Sequence, residues 1–127
     1  MVKRKSGFVL YVSSGSATQP TPMQTSYASG KKLLDQLAQS MNIEYAEFNV
    51  QFQSIKPYYV ATKMTQNKLR HNYKYSNMIP SADEYSRQAL GTIGRFVSTH
   101  GYAPHCMQSW IMNIGNFKTA QRTLFEL

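Results

Sequence analysis

Cysteine is nearly absent: Cys106 is the one cysteine in 127 residues. A lone thiol excludes an internal disulfide and any metal site built from several thiolates. It fits a reducing compartment, and it reads as a spare buried thiol rather than a nucleophile. Acidic side chains are scarce too, with six Asp and Glu against fourteen Lys and Arg, for a net charge of +8. That balance permits an anionic partner. The basic residues are scattered, however, with no cluster beyond Lys3 to Lys5, which argues against nucleic acid as the partner. No apolar run approaches the ~20 residues of a transmembrane helix. The apolar stretch behind the basic N-terminus, Phe8 to Val12, is too short for a signal-peptide core, so no secretion signal is expected. His71, His100 and His105 lack ligand-like spacing and read as surface or loop residues; no metal site is expected. There is no internal repeat and no sign of a second domain.

What is present is an α/β pattern. Gly7 to Ser14 is a short apolar, β-branched and aromatic run ending in small residues, the signature of a buried strand and a turn. Gly15 to Thr25 carries Pro20 and Pro22 and reads as a loop. From about Ser26 to Glu44, Leu33, Leu34, Leu37, Ala38 and Met41 recur at three- and four-residue steps, predicting an amphipathic helix. Gly30 early in that helix costs ~1 kcal/mol relative to alanine, tolerable where a cofactor or a neighbouring helix approaches the backbone. Phe48 to Ile55 alternates apolar and polar residues as a strand does, and stops at Lys56-Pro57. Strand, helix and strand make a βαβ unit, so the two strands are expected to be parallel neighbours with a right-handed crossover. Ligands in open α/β sheets bind beyond the carboxyl ends of the strands, which here brings Ser14, Tyr27 and the Pro57 loop around one crevice.

The second half is less regular. Met64 to Asn77 is polar and basic and reads as a loop or short helix over that crevice. Ser81 with Glu84 three residues on predicts a helix N-cap. The helix is expected to run to about Arg95 or Val97, with Tyr85, Ala89, Leu90 and Ile93 inward, before Gly101-Tyr102. Met107 to Ile114 is an apolar piece of unassigned type, and Asn116 to Leu127 reads as an exposed helix or tail.

The chemistry concentrates in Tyr27-Ala28-Ser29-Gly30-Lys31. Residues i and i+4 share a helix face. A lysine ammonium beside a phenol favours the phenolate and draws its pKa down, which suits a tyrosine to general acid or base work. Ser14, thirteen residues before Tyr27, can hydrogen-bond a carbonyl or alcohol oxygen. Ser14 also reads as a turn serine, Tyr27 as a packed aromatic, and Lys31 as a partner of Asp35. Lys32 competes for that surface role, which favours Lys31 inside.

These residues resemble the short-chain dehydrogenase/reductase family, whose site is a Ser, then Y-x-x-x-K, then a strand ending in a proline loop with a downstream Thr. Here these are Ser14, Tyr27 with Lys31, and Pro57-Tyr58-Tyr59-Val60-Ala61-Thr62. Val12-Ser13-Ser14-Gly15, the segment Pro57 to Met64, Pro80-Ser81-Ala82, Ala89 to Gly94 and Thr99-His100-Gly101-Tyr102 are most similar to one branch. It holds the 17-beta-hydroxysteroid dehydrogenases of types 3 and 12, the latter very-long-chain 3-oxoacyl-CoA reductases, and nematode steroid dehydrogenases. Tyr58 stands where most of the family has Gly, as it does in this branch.

The resemblance covers about residues 7–110 of a single partial domain, 1–127, with 111–127 a tail. It implies the C-terminal half of a Rossmann-like, doubly wound parallel sheet. The family's G-x-x-x-G-x-G phosphate turn is not in this sequence, so a truncated product or a fragment of a longer protein is expected.

The resemblance further implies an NADP(H)-dependent ketoreductase on steroids or 3-oxoacyl-CoA. Ser14, Tyr27 and Lys31 would be catalytic, and Tyr27, Lys31, Pro57, Tyr58, Val60 and Thr62 would hold the cofactor. Ser14, Tyr58, Tyr59 and Met64 would face an apolar substrate. A homodimer through helix 27–44 and an endoplasmic-reticulum location are implied as well, with the cytosol as the location of the chain alone. The other readings are a non-catalytic remnant without cofactor binding and a basic module for an anionic partner.

Overall fold

In the computed structural model the described residues are 1–66 and 77–114. Strand β1 (Gly7–Val12) leads through a 3-10 turn (Gly15–Ala17) to helix α1 (Thr25–Glu44), and a second 3-10 turn (Ala46–Phe48) precedes β2 (Val50–Ile55). Short helix α2 (Lys63–Gln66), helix α3 (Ala82–Leu90), strand β3 (Ser98–Thr99) and helix α4 (Ala103–Ile114) follow. The three strands form one parallel sheet in the order β1-β2-β3. Gly7 to Val12 pair with Val50 to Ile55, and Ser54 and Ile55 pair with Ser98 and Thr99. The parallel βαβ unit expected from the strand and helix periods is therefore present, as half of a doubly wound sheet.

Alternate residues of a strand face opposite sides, and the two sides here carry different cores. Tyr11, Val50 and Phe52 face α1, where Tyr11 stacks on Phe52 at 6.4 Å and Tyr45 leans on Phe52 at 5.5 Å. Ala38 closes that layer. On the other face Leu10 and Ile55 pack with Val60, Tyr85, Ala89 and Tyr102. Ser81 caps α3 by accepting the Glu84 N–H at 3.2 Å. The Glu84 carboxylate turns instead to the Tyr102 hydroxyl at 3.2 Å. Gly101 adopts φ +71 with Ala89 Cβ and Tyr85 Oη both 3.0 Å from where a Cβ would stand. Glycine alone meets both demands.

Several expectations are corrected. Phe48 belongs to a 3-10 turn, not to β2. Helix α3 stops at Leu90, and residues 91–95 are turns; Leu90, at the helix end, and Ile93, in the turns, are exposed. The two-residue β3 was not foreseen. Met107 to Ile114 is helical, within α4. On α1 the buried positions are Asp35 and Ala38, whereas Leu33 and Leu37 face outward. A Cβ at Gly30 would meet nothing within 4 Å, so among the described residues nothing approaches it. Cys106 is exposed, while His100 and His105 are buried. Most of the expected loop from Met64 to Asn77, His71 within it, and the tail from Asn116 onward lie outside the described residues. Among the described residues, no helix is long and apolar enough to cross a membrane.

Candidate active site

The site is built at the carboxyl ends of β1 and β2. Their ladder continues past both strands: the Ser13 N–H donates to the Ile55 carbonyl and the Gly15 N–H to the Pro57 carbonyl, each at 2.8 Å. The Ser14 turn and the Pro57 loop are thus joined by backbone hydrogen bonds. Ser14 is extended and caps the 3-10 turn, its Oγ accepting from the Ser16 N–H at 3.2 Å and the Ser16 hydroxyl at 3.0 Å. As both bonds are accepted ones, the Ser14 proton remains free to be donated.

Helix α1 enters over this end. The Lys31 ammonium donates to the Val12 carbonyl at 2.8 Å, and the Ser13 hydroxyl donates back to the Lys31 carbonyl at 2.7 Å. This reciprocal pair sets the helix against β1. Lys31 Nζ also lies 5.7 Å from the Tyr27 ring centroid, within reach of a cation–π contact. Tyr27 itself is 52% exposed, beside an open depression lined by Met23, Gln24, Thr25 and Ser26. A second depression, about 160 Å³, lies between Phe8, Gln51 and Phe96 at the other end of the strands.

The remaining predicted residues divide. Pro57 is half-buried beside Gly15. Tyr59 and Met64 are exposed. Thr62 turns inward locally, its N–H donating to Thr65 Oγ1 at 2.9 Å. Val60 packs on the Ile55 cluster. The Tyr58 ring is turned into the protein: it stacks on His100 at 5.3 Å and meets His105 edge-on at 5.7 Å.

Sequence reasoning missed the polar groups behind the site. Asp35 is buried on α1 and accepts from Ser98 Oγ at 2.7 Å, with Lys56 Nζ at 3.5 Å and Lys32 Nζ at 3.9 Å. Burial pushes its pKa up, but the Ser98 bond and the Lys56 charge outweigh that and hold it below the ordinary carboxylate value. Burial lowers both imidazoles, His100 against a bond to the Lys56 carbonyl and His105 against bonds to the Met78 and Tyr59 backbone. Burial likewise raises the Tyr85 phenol. The one available signal was Asp35 at i+4 from Lys31; the histidines carried none.

The fold is thus a parallel α/β sheet with a Ser turn and a proline loop at its carboxyl edge and a Tyr/Lys face on the helix that packs there. A sequence model of the short chain dehydrogenase family matches residues 1–73, and the chain belongs to that family. It is 33% identical over 126 residues to the very-long-chain 3-oxoacyl-CoA reductase of Anas platyrhynchos, covering 99% of this chain and 39% of that protein. It is 36% identical over 108 residues to the inactive hydroxysteroid dehydrogenase-like protein 1 of Homo sapiens, covering 85% of this chain and 32% of that protein. The crystal structure of a short chain dehydrogenase from Burkholderia cenocepacia J2315 in complex with NADP superposes with a TM-score of 0.69 at 18% identity, covering 97% of this chain and 50% of that one. The chain thus spans about a third to two fifths of the length of these curated relatives.

Proposed function

We propose that this chain carries the proton-transfer half of an NADP(H)-dependent ketoreductase acting on the carbonyl of a 3-oxoacyl thioester or a steroid. The observation that supports it is Lys31, held on the Val12 carbonyl at 2.8 Å and beside the Tyr27 ring, next to a Ser14 turn bonded to the Pro57 loop.

The residues present fit the nicotinamide end of the cofactor. Lys31 spends one donor on Val12 and keeps two for ribose hydroxyls. Tyr27 stands beside it, and on this reading the Pro57 to Val60 backbone with Thr62 would line the nicotinamide. Tyr58 contributes there through its backbone. The pyrophosphate calls for a glycine turn at a helix N-terminus, which this sequence does not contain. Bound nicotinamide supplies the hydride. Tyr27 Oη gives its proton to the ketone oxygen, Lys31 stabilises the phenolate left behind, and Ser14 donates to the same oxygen. Tyr59 and Met64 present apolar surface to the substrate, and endoplasmic-reticulum residence goes with this reading.

A second reading is a cofactor-less module that pairs through α1. The outward Leu33, Leu37 and Ile43 support it, as does the similarity to a relative named inactive. The deciding experiment starts with the transcript upstream of the Met1 codon. An in-frame glycine-rich strand-turn-helix, expressed with this chain, is expected to oxidise NADPH with a 3-oxoacyl or steroid ketone. Tyr27→Phe is then expected to lower turnover ~10²-fold or more at unchanged melting. A stop codon directly upstream, or a fully active Tyr27→Phe, sinks the enzyme reading. Pairing is checked separately by light scattering of Leu37→Lys, which should be monomeric.

A further inference from the structure

Tyr58 joins three parts of the molecule. Its ring lies flat against Gly15, where a Cβ would stand 2.8 Å from Tyr58 Cγ, and its hydroxyl is 3.3 Å from Thr18 Oγ1 across the serine turn. Behind, the ring is clamped by His100 and His105. The Tyr58 backbone N–H donates to His105 Nδ1 at 3.4 Å, while His105 Nε2 lies 3.1 Å from the Met78 carbonyl. An N–H can only donate and a carbonyl can only accept, so the fully buried His105 is neutral with its proton on Nε2. The chain of contacts runs from α4 through His105 and Tyr58 to Gly15, and so to Ser14.

We propose that Tyr58 and His105 are positioning residues that hold the Ser14 turn in place against the Pro57 to Val60 loop, and that only the neutral, Nδ1-accepting form of His105 does so. This rests on the reading that the turn and the loop form the active site. Protonated His105 would set a second N–H against that of Tyr58 and break the bond. The Met78 and Tyr59 backbone favour the imidazolium, but burial outweighs them, and the side chains facing His105 offer it little. They are the Tyr58 ring, the Tyr85 phenol from α3, the Tyr102 phenol ahead of α4, and the charge of His100 beyond β3. Glu84 reaches Tyr102, Cys106 bears on Tyr85, and Lys56 and Asp35 bear on His100.

The test is hydrogen exchange of the Gly15 amide, which donates to Pro57, measured in the full chain relative to the remote Phe52 amide. His105→Asn keeps an acceptor near the Nδ1 position; His105→Phe keeps the ring and removes the acceptor. Positioning predicts Gly15 exchange within about twofold of wild type for Asn and about tenfold faster for Phe, the scale of one net hydrogen bond. A packing role predicts the reverse order, and that order overturns the proposal. Should neither variant fold, 15N spectra of wild-type His105 decide. A proton on Nε2, with Gly15 protection lost as His105 titrates, upholds it; a proton on Nδ1 overturns it. No readout involves turnover, so failure of the ketoreductase reading with this coupling intact leaves the positioning result standing.

Discussion

Asp35→Ala is the sharpest test of what holds the site's scaffold together. The carboxylate on α1 is 2% exposed and binds Ser98 of β3 and Lys56 just beyond β2. Removing it leaves a serine hydroxyl unpaired and the Lys56 ammonium, on a side chain 14% exposed, without its counter-charge. Breaking a buried pair from one side costs about 3–5 kcal/mol. Lys56 retains a path to water, which places this case at the low end. The pair with Lys32 is 60% exposed on the lysine side and adds little. We therefore expect a loss of about 3 kcal/mol. With a urea m-value of ~1.5 kcal/mol/M, the midpoint falls by about 2 M at unchanged m. The assay is urea denaturation followed by circular dichroism. Lys56→Met in the Asp35→Ala background should recover part of the loss, because the orphaned charge is gone. A cost below ~1 kcal/mol, or no recovery in the double variant, refutes the reasoning.

Acid should act in two stages. His100 and His105 have folded-state pKa values below the ordinary 6.5, so between those values and 6.5 the unfolded chain binds more protons and stability rises with pH. Lowering the pH through 6.5 should thus begin to reduce the urea midpoint; a flat midpoint from pH 7 to 5 contradicts this. Asp35, whose folded pKa lies below 3.8, contributes stability that is present above 3.8 and lost as pH falls through the folded value. Ser81→Ala removes the cap on the Glu84 N–H and should cost ~1 kcal/mol, read as a lower urea midpoint with faster exchange confined to the first turn of α3. An unchanged midpoint would show that the cap contributes nothing.

The helix and strand periods were legible because they are local. Gly7 to Val12 is a short apolar, β-branched and aromatic run, and Val50 and Phe52 alternate with Gln51 and Gln53 at a spacing that a strand presents to two faces. The Tyr27/Lys31 spacing likewise placed both on one side of α1, where Lys31 lies against the Tyr27 ring. Ser81 and Glu84 marked the start of α3, for the cap is a contact within four residues.

The rest depended on what arrives from elsewhere in the chain. Leu33 and Leu37 match a helical stripe as well as Ala38 does, but the sheet meets α1 along Asp35 and Ala38. Strand β3 is two residues long and exists because Ser54 and Ile55 present an edge to pair with. His100 and His105 are buried because Tyr58, Tyr85 and Tyr102 close around them from three separate segments. The sequence by itself determined the βαβ unit, the Tyr27/Lys31 face and the family. Tertiary structure decided which apolar residues are core, which polar ones are buried, and that Tyr58 points inward, since burial is a property of neighbours distant along the chain.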